Sequence, residues 1–147
     1  MSMVLDYNMK INVAISVVTI AAIVFEPIVF RLVFQKIAKH KISLLLSIIW
    51  YVVVLALSNA MQNILLRLNG CTTSTESVIC KMLQDGSPWN VSQIIWQFPV
   101  IFFVTLSIVV IKKYSIKRFD IFKVSFAMAL YNRFVGMAVI FLLLAKN

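Results

Sequence analysis

Four stretches of the chain are almost wholly apolar: Ile11 to Phe34, Ile42 to Leu66, Val91 to Ile111 and Val124 to Ala145. Each has the length of a bilayer-crossing helix, because about 20 apolar residues cover about 30 Å of hydrocarbon. Strands of a membrane barrel would alternate polar and apolar over about ten residues. Runs such as Val52-Val53-Val54-Leu55-Ala56-Leu57 do not alternate. The pattern predicts an all-α membrane protein, a four-helix transmembrane bundle forming one polytopic domain over residues 1–147. The four spans and their connections use up the chain, leaving no room for a separate soluble domain, and no internal repeat is visible.

Composition sharpens this picture. Hydrophobic residues make up 62% of the 147 and charged residues 13%, against about 45–50% and about 25% in an ordinary globular domain. The net charge of +9 does not indicate nucleic-acid binding, because the cations come in short bursts between apolar runs rather than over a soluble core. Disorder is excluded by the hydrophobicity. Arg31, Lys36, Lys39 and Lys41 fall in or beside the first connection, and Lys112, Lys113, Lys117, Arg118 and Lys123 in or beside the third. The opposite side carries Lys10, Arg67, Lys81 and Lys146. The positive-inside rule then sets the two basic loops in the cytoplasm of a bacterial inner membrane, with both termini and the second connection outside. A cleaved signal peptide fits the first span poorly, since Asp6 precedes it and its apolar run exceeds a signal core.

The second connection changes character to Asn, Gly, Thr, Ser and acidic residues. Thr73-Ser74-Thr75-Glu76 fits a capping box, and Val78, Ile79, Met82 and Leu83 follow at helical spacing, with Gly86 placed to stop the helix. A short amphipathic helix on the outer surface is expected. Cys71 and Cys80, the two cysteines of the chain, bracket its start. In an oxidising compartment they can pair, and two unpaired thiols are the alternative. Ser87-Pro88 opens the third span, and Trp89 and Trp96 suit the headgroup layer. No metal site is expected: the cysteine spacing is wrong and His40, the sole histidine, lies on the other side.

Two ionisable residues lie inside spans, where each costs about 2.5–3.5 kcal/mol on insertion scales. Glu26 is about 7.5 Å inside the boundary at Arg31, and Arg133 about 15 Å beyond Lys123. Side chains lean towards the N-terminus of their own helix, so these two converge in depth from opposed spans. They are candidates for an intramembrane charge pair or for an ion or substrate site. The alternatives are that Arg133 snorkels alone, or that Glu26 pairs with Arg31 or is protonated. Pro27 follows Glu26 and removes the donor for the Ile23 carbonyl, predicting a kink; Pro99 does the same in the third span.

Further polar residues recur at helical spacing: Asn12, Ser16, Thr19 and Glu26 in span one; Ser47, Tyr51, Ser58, Asn59 and Gln62 in span two; Ser125, Ala129, Asn132 and Gly136 in span four. These faces are expected inside the bundle. Asn59, Gln62, Asn63, Gln93 and Gln97 all fall in the outer half, where they could line a polar vestibule, interhelical packing being the plainer reading. No phosphate-binding glycine loop, no nucleophile–base set and no cofactor motif is present, which disfavours an enzyme. The expected partners are the lipid bilayer and another membrane protein or a second copy. Two functions follow: a non-enzymatic protein that binds another membrane component, as an accessory subunit or an immunity- or exclusion-type protective protein, or a small oligomeric exporter or channel using Glu26 as coupling carboxylate.

Overall fold

The computed structural model describes residues 2–71, 77–84 and 91–144. These are helical, with no strand among the described residues: α1 (Ser2–Ala38), α2 (Leu44–Leu68), α3 (Val78–Gln84), α4 (Val91–Lys112) and α5 (Arg118–Leu144). The four long helices cover the four apolar stretches, except that α2 begins at Leu44 rather than Ile42 and α5 is described as far as Leu144. α1 and α5 reach further than hydropathy alone indicates, α1 through the polar N-terminal residues and α5 back to Arg118, because polar flanks continue a helix once an apolar segment has nucleated it. Two helical segments, Leu44–Leu68 and Ile95–Lys112, are long and apolar enough to cross a membrane by length and composition.

Local chemistry sets the ends. Ser43 caps α2, its hydroxyl accepting from the Leu46 amide at 3.2 Å. α2 stops at Gly70, whose φ of 61° closes a Schellman turn: Gly70 N donates to Arg67 O and Cys71 N to Leu66 O. Lys113 takes the same left-handed conformation after α4, with Lys113 N donating to Val110 O and Tyr114 N to Val109 O. Tight turns of this kind return each helix against the previous one. The packed pairs are α1 with α2, α2 with α4, α4 with α5, and α5 with α1, so among the described residues the long helices form a ring whose diagonal backbones do not approach each other, and α3 rests on α2 and α4.

The ring has two unlike halves. At the short-loop end Phe30, Phe34, Trp50, Ile101, Ile121, Val124 and Met128 are buried in one apolar core. The Trp50 ring stacks flat on Phe30 with centroids 3.7 Å apart. Its indole N–H donates to Thr105 Oγ1 at 3.1 Å, so the one polar atom of that side chain is satisfied inside the core. The two loops close over this end, where His40 stacks on Tyr114 and the Tyr114 hydroxyl donates to Lys41 O. Of the expected interior positions, Ser47, Ser58, Ser125 and Ala129 are buried and Glu26, Tyr51, Gln62 and Asn132 half-buried, whereas Ser16 and Asn59 are exposed; the side chains of Asn12 and Thr19, and the burial of Gly136, lie outside the described residues.

Candidate functional site

Towards the α3 end, the ring opens into a polar cavity of about 100 Å³ to which all four long helices contribute. α1 supplies Glu26. α2 supplies Tyr51, Ser58, Asn59 and Gln62, with Val54 and Leu55 filling the turn between Tyr51 and Ser58 on the same wall. α4 supplies Trp96 and Gln97, and α5 supplies Asn132. Val54 and Ile101 form its apolar floor, where it meets the core.

Neighbouring residues of α5 serve two parts of this region. The Asn132 side chain hydrogen-bonds the Glu26 carboxylate. The guanidinium of Arg133 donates to Gln97 Oε1 at 3.4 Å. Successive helical residues diverge by about 100°, which is why Asn132 faces α1 while Arg133 faces α4. Glu26 and Arg133 thus reach one polar region as their depths suggest, with Asn132 and Gln97 as their hydrogen-bond partners. Pro27 is buried in α1 directly beside the carboxylate, and α1 is helical on both sides of it. The Ile23 carbonyl has lost its amide donor there.

Of the five expected vestibule residues, Asn59, Gln62 and Gln97 line the cavity. Asn63 is exposed and is not among the lining residues; one residue beyond Gln62, it points around the helix and away. The side chain of Gln93 lies outside the described residues. Trp96 is half-buried and lines the cavity, and its Nε1 is buried with no hydrogen-bond partner among the described residues. Position 96 precedes Gln97 on the inward arc of α4, so the signal was present in the spacing.

The cavity is joined to α3 through Gln62, whose Nε2 donates to Leu83 O at 3.2 Å. α3 is in turn tied to the end of α2 by the Cys71–Cys80 disulfide, with Cα atoms 5.4 Å apart. The tether also fixes the rotation of α3, and this corrects the expected apolar face. Cys80 and Leu83 point inward, whereas Val78 and Ile79 are exposed, and the side chain of Met82 lies outside the described residues. The capping-box residues 73–76, Gly86, Ser87-Pro88 and Trp89 also lie outside the described residues. The cap that is described is Ser77, whose hydroxyl accepts from Cys80 N at 3.3 Å.

A second, apolar groove of about 360 Å³ runs between α2 and α4 on the outside of the ring, lined by Leu57, Ala60, Met61, Ile64, Pro99, Val100 and Phe103. Small Ala60 and the exposed ring of Pro99 leave the space. Among the described residues no group of three His, Cys, Asp or Glu side chains could hold a metal ion. Compared with known proteins, the chain matches no family model, no curated protein and no solved structure.

Proposed function

We propose that the chain is a four-span, non-enzymatic membrane protein whose working site is the Glu26 cavity, and that it acts as a small ion-coupled carrier or channel subunit. Several features support the membrane setting. The outward faces of the long helices carry Val17, Ile20, Val24, Leu32, Leu45, Ile49, Val52, Phe103, Val110 and Phe134, all exposed. An apolar surface on this scale is stable against lipid and not against water. α1 runs from Ile11 to Phe25 without a charged residue, and α5 from Val124 to Leu144 carries Arg133 alone. The basic loops belong in the cytoplasm, α3 and its disulfide outside.

One observation carries the functional reading: a carboxylate on α1 faces a polar cavity to which all four long helices contribute, beside a proline that removes a backbone donor. Packing alone needs neither the cavity nor the acid, and both are costly in a membrane, so their convergence fits a site where charge is taken up and released. The test is flux in vesicles containing the purified protein, followed with internal dyes for protons, sodium and potassium. Wild type should carry at least one of these. Glu26→Gln should accumulate normally and lose the flux, whereas unchanged flux in Glu26→Gln removes the reading.

A second reading, binding of another membrane component as an accessory or protective protein, is favoured by the α2–α4 groove, whose apolar lining suits packing against an apolar helix from another chain. Ala60→Trp fills the groove. Under this reading it abolishes co-purification of a partner from native membranes and leaves any Glu26-dependent flux intact.

A further inference from the structure

We infer that the cavity beside Glu26 binds one small monovalent metal cation with a few waters, and that Glu26, Ser58, Gln62 and Asn132 supply its oxygen ligands. This rests on the cavity being the working site and names what occupies it. Size excludes most alternatives. Organic ligands occupy pockets of about 300–1,000 Å³, several times the roughly 100 Å³ present. One water needs about 10–15 Å³ on such a measure, so the space suits an ion and several waters.

Charge narrows it further. The cavity wall holds one carboxylate, and the guanidinium of Arg133 stands behind Gln97. An anion would meet the carboxylate, and a divalent ion would leave uncompensated positive charge in a low-dielectric site. With Arg133 just outside the wall, the one carboxylate leaves room for at most a single added positive charge.

The amide orientations supply the remaining argument, because hydrogen-bond chemistry fixes them. Leu83 O can only accept, so Gln62 commits its NH2 group to α3 and keeps its carbonyl oxygen for the cavity. Asn132 lines the same space beside the Glu26 carboxyl and brings a further amide oxygen to it. Arg133 can only donate, so Gln97 turns its oxygen away and leaves its NH2 on the cavity side. Ser58 is 7% exposed, lines the same space, and its hydroxyl has no hydrogen bond to any described residue. Acceptor oxygens therefore gather on the α1, α2 and α5 walls. The donors, Gln97 and the unpartnered Trp96 indole, stand on the α4 wall, where they hold waters around the ion. A proton on Glu26 would require none of these oxygens; a hard cation requires several.

Entry is from the α3 end. One turn towards the short loops from the cavity-lining residues Glu26, Val54, Ile101 and Asn132 lie Phe30, Trp50, Thr105 and Met128, each fully buried. That layer closes the floor on all four helices.

The experiment is thermal unfolding and calorimetric titration of the purified full chain in lithium, sodium or potassium chloride against N-methylglucamine chloride at equal ionic strength and pH. At least one small cation should raise the unfolding temperature and give saturable heat. Glu26→Gln should remove both effects, Ser58→Ala should weaken binding about tenfold, and Val52→Ala on the outer face should leave it unchanged. Identical curves in all four salts overturn the inference, as does a cation effect that survives Glu26→Gln, or a response to pH alone. If Glu26→Gln fails to accumulate, Ser58→Ala and Gln62→Ala decide by the same criterion. Glu26-dependent flux without cation binding would sink this inference and keep the carrier reading; cation binding without flux would do the reverse.

Discussion

Trp50 on α2 and Thr105 on α4 are joined by a 3.1 Å hydrogen bond inside the apolar core, with the indole ring laid flat on Phe30. This pins three helices together directly beneath the cavity. Thr105→Val keeps the volume and removes the acceptor, leaving a buried N–H unsatisfied. It should lower stability by about 1–3 kcal/mol, read as a drop in the unfolding temperature of the purified protein. Thr105→Ser should recover most of the loss.

The Glu26–Asn132 contact predicts a coupling that the neighbouring residue does not share. In a double-mutant cycle on unfolding, Glu26→Gln with Asn132→Ala should show an interaction of about 1–2 kcal/mol. Arg133→Ala should couple instead to Gln97→Ala. A larger coupling between Glu26 and Arg133 than between Glu26 and Asn132 would restore the direct ion pair as the main contact.

Much of this was legible before the structure. Hydropathy located α2 and α4 to within two residues but missed the polar extensions of α1 and α5 by nine and six residues at their starts, and the period of 3.6 set Ser58, Gln62, Ser125 and Asn132 on inward faces. What the period could not settle was which of two adjacent α5 residues meets Glu26. Opposite charge favoured Arg133 on paper, but the face shared with Ser125 and Ala129 belongs to Asn132. The rotation of α3 was hidden for a different reason. A seven-residue helix has little amphipathic signal of its own, and the covalent bond from Cys80 to Cys71 sets its orientation.

That rotation is testable. Leu83→Ser should destabilise the outer segment, because Leu83 is buried against the bundle, whereas Ile79→Ser should have little effect, since Ile79 is exposed. Proteolysis of the outer segment in intact vesicles reads both. Equal sensitivity of the two variants would put the expected Ile79-inward face back in place.

The disulfide holds α3 against the cavity mouth. Cys71→Ser with Cys80→Ser should cost about 2–3 kcal/mol by loop entropy for a closure of this length, and protection of the 69–84 segment in hydrogen exchange should fall while the core around Trp50 stays protected. Loss of protection throughout the chain would mean that the outer segment is integral to the fold rather than fastened onto it.

The central claim is that Ser58 faces the polar cavity while Val52, about one and two-thirds turns away on the same helix, faces lipid. Both native cysteines are in the disulfide, so Ser58→Cys and Val52→Cys each introduce the sole free thiol. The direct measurement is their labelling in intact membranes by a small cationic thiosulfonate added from outside. Labelling of Ser58→Cys, slowed by added Glu26→Gln, with Val52→Cys inert until detergent is added, is the predicted result. Rapid labelling of Val52→Cys in the membrane, with Ser58→Cys untouched, would contradict the account.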